Sequence, residues 1–331
     1  MSTAALVGWS GNGDLDDLHR TVASKLALRR QAVGRSGRSL IVENDDPVAV
    51  ARRLAYLPGV DWIAVGYAFE GRDALTARLR FLAGRYLREG SAFRLDAQVE
   101  RSSQEEGDVL LDGNGSILKA VKGTRVDERR PDVTFRIVMT ADRGVAGVQL
   151  KKGPGGVPTS RKAKVFCLVS GGYHSAVAAW MAVLSGYSVT LVHARTDDES
   201  LRQAARLYAE LSRRADAGSI SLEVLEGDGS PGGRVAAWLE GKKGATLVGV
   251  HPECRGLEVV KKFRAYPLVS LPLLLLQEDE VRSKLDRLGL RRKDLDARAD
   301  LSLTAKGPAY VVKTYGGKES DINGVLDGIL R

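Results

Sequence analysis

Cysteine is nearly absent from this chain: there are two, Cys167 and Cys254, in 331 residues. That excludes a disulfide framework, and an iron–sulfur cluster held by three or four thiolates of one chain. Histidine is also scarce, at four. His251 and Cys254 are too small a set for a structural zinc site, so no metal ligands are assigned. Long hydrophobic runs are missing. The longest, Pro267 to Leu276, is interrupted by Pro272 and falls well short of the about 20 residues that cross a bilayer. The apolar stretch near the start, Ala4 to Trp9, is too short for a signal peptide. The expectation is a cytoplasmic protein with no membrane partner.

Acidic residues fall short of basic ones, 41 against 50, a formal net charge of +9. That balance favours a polyanionic partner such as RNA, with a merely solvated basic surface as the alternative. The hydrophobic share, 44%, is enough for sizeable cores, and the length suggests about two domains.

The stretch Lys164–Ser175 organises the chain. Val165 to Val169 reads as a buried strand. Ser170-Gly171-Gly172 makes a tight turn, and Val177, Trp180, Met181 and Leu184 then mark one face of a helix. Ser188 to Ala194 is a second strand, so this is a βαβ unit. Glycines let the backbone approach an anion, and a helix N-terminus favours negative charge. The unit therefore has the form of a phosphate cradle.

Before it, strands are expected at Ala4–Trp9, Ser39–Glu43 and Trp62–Ala68, with helices at Leu15–Arg30 (Asp14 as cap) and Pro47–Tyr56. This β-α-β-α-β order is that of a ferredoxin-like half-sandwich. A basic helix follows over Gly71–Glu89, a strand over Phe93–Val99, and a weak helix over Leu110–Val121 interrupted by Gly113-Asn114-Gly115. A strand after Pro131 then pairs with Val145–Leu150. Arg94, Arg101, Lys119, Lys122, Arg125, Arg129, Arg130, Arg136, Lys151 and Lys152 are candidate RNA contacts, because Lys and Arg supply salt-sensitive phosphate affinity.

After the cradle the βα alternation continues. Helices are expected over Asp198–Ala215 and Glu278–Leu288, and strands at Ile220–Leu225, Thr246–Val250 and Pro267–Leu271. Ala309–Lys313 is a last β-like stretch. The pattern is doubly wound, with its ligand outside the carboxyl ends of the strands.

Ser170-Gly171-Gly172-Tyr173-His174-Ser175 resembles the Ser-Gly-Gly-x-Asp-Ser signature of the PP-loop ATP pyrophosphatases. Lys152-Gly-Pro-Gly-Gly-Val-Pro-Thr159 resembles the linker of the tRNA 4-thiouridine synthases, which joins a THUMP RNA-binding domain to a PP-loop domain. The resemblance implies a ferredoxin-like domain at 1–69, a THUMP domain at 70–152, a linker at 153–163 and a PP-loop domain at 164–331. It implies ATP and Mg2+, with Ser170, Gly171, Gly172, Tyr173, His174, Ser175, His193 and Gly249 at the nucleotide. It also implies tRNA as substrate, a sulfur-donor protein such as a cysteine desulfurase, and a homodimer. In the family, ATP adenylates the carbonyl oxygen of a tRNA uridine, and sulfur carried as a cysteine persulfide displaces AMP.

Three departures stand against that chemistry. His174 replaces the Asp of the signature, and imidazole is a poor Mg2+ ligand. Asp197 or Asp198 either replaces that carboxylate or caps a helix. The motif around Gly249 is reduced to Val248-Gly-Val-His-Pro-Glu-Cys-Arg-Gly-Leu257. The sulfur-carrying cysteine expected within Arg291–Thr304 is missing. Cys167 reads as a core residue, and Cys254, beside Arg255, is either the remaining candidate carrier or an ordinary loop thiol. His193 either lines the pocket or closes its strand. Two readings stay open: an ATP-dependent tRNA sulfurtransferase with a diverged site, or a THUMP/PP-loop tRNA-binding module without that activity.

Overall fold

The computed structural model describes residues 2–100, 103–140, 143–216, 218–249, 269–273, 275–288 and 311–316. The chain divides into two compact units, Met1–Pro158 and Thr159–Arg331.

The first unit contains β1 (Thr3–Trp9), α1 (Leu15–Leu26), a 3-10 turn (Arg30–Ala32), β2 (Gly34–Ser36), β3 (Ser39–Glu43) and α2 (Pro47–Leu54). It continues with β4 (Val60–Glu70), α3 (Gly71–Tyr86), β5 (Ala92–Val99), α4 (Ser103–Ala120), β6 (Arg125–Val126), β7 (Val133–Thr140) and β8 (Arg143–Gly155). All eight strands form one sheet in the order β2-β3-β1-β4-β8-β7-β5-β6. The strand β4, 11 residues long, pairs antiparallel with both β1 and β8 and so carries the sheet from its N-terminal part into the rest.

Local chemistry explains the helices. The carboxylates of Asp14 and Asp46 accept the amides of Asp16 and Ala49, as caps should. Helix α1 stops at Leu26, short of the expected Arg30, because Ala27 turns left-handed (φ 55°) and its amide reaches back to the Ala23 and Ser24 carbonyls. Helix α4 instead runs unbroken through Gly113-Asn114-Gly115. A Cβ at Gly113 would lie 2.6 Å from Leu95 Cδ2, so this glycine serves close packing rather than a break.

Helices α1 and α2 cover a core containing Val7, Leu18, Leu40, Leu54 and Ile63. Helices α3 and α4 cover another, with Leu79, Phe93, Phe135 and Ile137. The opposite face of the sheet buries Ala4, Leu6, Ala64, Val138 and Val145 in a cluster of its own. There the strands approach closely: a Cβ at Gly66 would fall 2.0 Å from the Ala146 carbonyl oxygen.

The second unit contains β9 (Ser160–Leu168), α5 (Tyr173–Leu184), β10 (Tyr187–Ala194), α6 (Asp198–Arg214), β11 (Ile220–Glu226) and α7 (Pro231–Glu240). It ends with β12 (Thr246–Val248), β13 (Val269–Ser270), α8 (Glu278–Leu288) and β14 (Val311–Gly316). The sheet order is β13-β12-β9-β10-β11-β14, parallel except for the antiparallel edge strand β14. Cys167, Val169 and Leu191 pack with Trp180, Leu207 and Leu285 of α5, α6 and α8. Leu168, Val192 and Leu225 pack on the other face with Val235 and Trp238 of α7. This is a doubly wound α/β layer, as the alternation of elements leads one to expect. The chain order reverses between β9 and β12, which places the crevice at their carboxyl ends.

Candidate functional site

Strand β9 delivers the chain to that reversal point, and Ser170-Gly171-Gly172 turns it into α5. Gly171 takes φ +86°, a conformation that a Cβ would strain. Gly172 is the N-cap of α5, and no side chain caps that end. Helices α6 and α7 differ: Asp197 accepts from the Ser200 amide, and Ser230 from the Gly233 amide. The hydroxyls of the turn bond to the turn itself. Ser175 Oγ donates to the Gly172 carbonyl at 2.7 Å, and the Gly172 amide lies 3.5 Å from Ser170 Oγ. The first turn of α5 therefore carries positive dipole with no side-chain carboxylate or hydroxyl capping it.

Gly249 follows β12 and backs directly onto this turn. A Cβ there would lie 2.5 Å from both the His174 carbonyl oxygen and Ser175 Cα. Only glycine fits between the end of β12 and the first turn of α5 at this approach.

Tyr173 and His174 point to α8. The Tyr173 hydroxyl donates to Glu278 Oε1 at 2.7 Å, and His174 Nε2 lies 3.2 Å from Glu278 Oε2. The His174 and Glu278 side chains are only 13% and 16% exposed, and the Tyr173 and His174 rings lie 4.0 Å apart. Arg282, one turn along α8, sits 3.4 Å from Glu278 Oε1. Glu278 was not among the residues picked out in the sequence. It lies 104 residues from His174, and an acid at a helix start ordinarily reads as a complement to the helix dipole.

His193 has a supporting place rather than a lining one. It is fully buried. Its Nδ1 faces the Val169 carbonyl at 2.9 Å, so that nitrogen carries the proton, and Nε2 lies 3.3 Å from Ser200 Oγ. It joins the end of β9 to the first turn of α6. Burial drives its pKa below the ordinary value, against the opposing effect of the Val169 carbonyl.

The described residues around the turn do not fit Mg2+. Glu278 is held by Tyr173 and His174. Asp197 completes a capping box on α6, with its pKa lowered chiefly by the Ser200 amide. Asp198 pairs with Arg195 at 2.6 Å. Among the described residues no group of three or more His, Cys, Asp or Glu side chains is placed to hold a metal ion. Cys167 is fully buried and its thiol pKa is pushed far upward by burial, which excludes it as a sulfur carrier. Cys254 lies outside the described residues, as do the Arg291–Thr304 segment and Arg101.

In the first unit, Lys119, Lys122, Arg125, Arg129, Arg130, Lys151 and Lys152 are exposed. Lys119 ends α4. The amides of Arg129 and Arg130 donate to Asp127 Oδ1, and Arg125 Nη1 donates to the Gly90 carbonyl. Those two amides lower the Asp127 pKa. Lys151 stacks on Tyr56, its Nζ 3.8 Å from the ring centroid. Two of the predicted contacts stand in internal pairs instead. Arg136 donates to Gln149 and Asp96 and covers the Trp62 indole at 4.5 Å. Arg94 bridges Asp96 at 2.6 Å and Glu128 at 3.1 Å.

Comparison with known proteins fits this architecture. No family model matches the chain. The probable tRNA sulfurtransferase of Bacillus subtilis (strain 168) is 23% identical over 193 residues, covering 56% of this chain and 48% of that protein. The probable tRNA sulfurtransferase of Levilactobacillus brevis is 29% identical over 133 residues, covering 40% and 32%. The chain thus spans about half the length, or less, of these relatives. A solved 4-thiouridine synthetase–RNA complex with bound ATP shares the fold with a TM-score of 0.70 and 16% identity, over 100% of this chain and 98% of that one. PH1313 from Pyrococcus horikoshii Ot3 does so at 0.66 and 20%, over 88% and 100%. The resemblance to the tRNA 4-thiouridine synthase family is therefore present in both sequence and fold.

Proposed function

We propose that this chain binds tRNA through the basic surface of its first unit and a nucleoside triphosphate, ATP, at the Ser170-Gly171-Gly172 turn, in the service of tRNA uridine thiolation. The observation that carries this reading is the helix end at Gly172. It is the uncapped N-terminus at the strand-order reversal, formed by a left-handed glycine and closed from behind by Gly249. A triphosphate needs backbone donors and positive dipole at this place. The fold shared with an ATP-bound, RNA-bound synthetase supports the same ligands. Arg125 in β6, and Arg129 and Arg130 on the loop before β7, form with Lys119 and Lys122 the basic patch for the tRNA backbone. Cys254 is the proposed sulfur carrier, fed by a sulfur-donor protein such as a cysteine desulfurase.

The test is calorimetric titration of the full chain with ATP, with and without Mg2+, on the wild type and on Gly171→Arg. Binding that the substitution abolishes supports a live cradle, and a 4-thiouridine assay on tRNA with wild type and Cys254→Ser then decides on sulfur transfer. No ATP binding under any of these conditions overturns the nucleotide reading. A second reading, a tRNA-binding module without sulfurtransferase activity, is favoured by one observation: the position expected to carry a metal-ligating carboxylate carries His174, tied to α8 through Glu278. Thiolation absent while ATP and tRNA both bind would select it.

A further inference from the structure

The mismatch between this site and a hard divalent cation has a consequence for the form of the nucleotide. A carboxylate in a phosphate-binding loop adds negative charge to a site already facing a triphosphate. A cation must then lie between them. Here position 174 is an imidazole. The carboxylate beside it, Glu278, is matched by the Tyr173 hydroxyl at 2.7 Å, by His174 at 3.2 Å and by Arg282 at 3.4 Å. The two acids at the neighbouring strand end are occupied as well, Asp197 by the α6 cap and Asp198 by Arg195. Among the described residues, the charge facing the phosphates is therefore the positive dipole of the first turn of α5, and position 174 adds no carboxylate to offset it.

From this we infer that the cradle binds its nucleoside triphosphate without a divalent cation, and that the His174–Glu278 pair stands where a metal-bridging carboxylate would otherwise be. This rests on the nucleotide reading above. Glu278 acts as a positioning residue: it holds the imidazole against α8 and so ties α5 to α8. Position 174 thereby sets the metal requirement of the site.

The experiment is calorimetric titration of the full chain with ATP in two buffers, one with excess Mg2+ and one with EDTA, on wild type, His174→Asp and His174→Asn. Thermal melts of each variant check folding. The expected result is a wild-type dissociation constant that agrees between the buffers to within about threefold, while His174→Asp binds about tenfold or more weakly in EDTA than with Mg2+. His174→Asn, which adds no charge, shows the same ratio of dissociation constants between the two buffers as the wild type, whatever its absolute affinity; should His174→Asp fail to fold, this ratio and that of the wild type decide. Wild-type binding that is lost in EDTA overturns the inference and leaves the nucleotide reading standing. So does a folded His174→Asp protein that binds equally in both buffers. Wild-type protein that binds ATP in neither buffer overturns both.

Discussion

The Ser39 hydroxyl donates a 2.7 Å hydrogen bond to Gln98 Oε1, although four strands separate β3 from β5 in the sheet. Two strands that far apart in a flat sheet do not touch. The sheet of the first unit therefore curls until its two sides meet, and the Gly37 amide adds a second tie, to Glu100 Oε1 at 3.2 Å. The curl accounts for the small core of Ala4, Leu6, Ala64, Val138 and Val145, which no helix of the two main cores overlies. Twist accumulated over eight strands supplies the curvature, and glycine at positions 66 and 147 lets neighbouring backbones close in.

Gln98→Ala should lower the unfolding free energy by about 1 kcal/mol, the usual net worth of such a bond. Ser39→Ala should add little once Gln98 is gone, because the two changes remove one interaction. Urea denaturation of both single variants and the double variant measures this. Fully additive losses would mean that the bond does not close the curl.

Arg136 and the pair Arg129/Arg130 should separate stability from RNA binding. Arg136 covers Trp62 and pairs with Asp96 and Gln149 in a half-buried cluster, so Arg136→Ala removes one of the two cations on a largely buried carboxylate and leaves Arg94 on it. A loss of about 1–3 kcal/mol of stability is expected, with tRNA affinity nearly unchanged where the protein stays folded. Arg129 and Arg130 contribute backbone amides to the Asp127 turn, while their side chains are exposed. Reversing both to Glu should leave the melting curve in place. Over a salt series, tRNA binding should weaken and its salt dependence flatten. Filter binding that shows the opposite assignment would move the RNA surface to the sheet face around Arg136 and Trp62.

Gly249→Ala should open the cradle from behind. Its Cβ would meet the backbone of His174 and Ser175 at 2.5 Å, and backbone cannot swing away as a side-chain end can. About 1–3 kcal/mol of stability should be lost. ATP affinity should fall more than in a surface control of equal stability, because the first turn of α5 is what moves. Calorimetry beside a thermal melt distinguishes the two effects.

Those residues also mark what was legible in the sequence. Asp14, Asp46-Pro47, the glycine turn and the alternating βα pattern are local signals, and each is found where spacing puts it. Gly249 is placed by the family resemblance, and the expected strand Thr246–Val250 stops short of it, at Val248. Nonlocal contacts were not legible. The sharing of one sheet by β1–β8 depends on β4 pairing with β8, some eighty residues later in the chain, for which no short-range pattern exists. The partnership of His174 with Glu278 is equally distant. Asn114 with its flanking glycines misled in the other direction. A glycine pair reads as a helix breaker, yet Gly113 is small because Leu95 and Leu79 press on α4. Arg136 reads as an RNA contact by charge alone, and only the fold reveals Asp96 and Trp62 beside it.

His193 should make the second unit sensitive to acid. Its folded pKa is depressed by burial, so the folded protein resists taking up a proton there, while the unfolded chain titrates near the ordinary value of about 6.5. Above that value neither state is protonated, and stability is at its full level. As pH falls below it, the unfolded state binds a proton that the folded state does not, and stability drops until pH passes the depressed folded pKa. Protonation would also give Nε2 a hydrogen that must point at Ser200 Oγ, which already serves the capping box of α6. His193→Gln, which keeps polar atoms but does not titrate, should cost stability at pH 7.5 through imperfect geometry, yet lose less than the wild type between pH 7.5 and pH 5.5. Urea denaturation at several pH values measures the slope. Equal slopes for the two proteins would mean that the acid sensitivity, if present, belongs to groups other than His193.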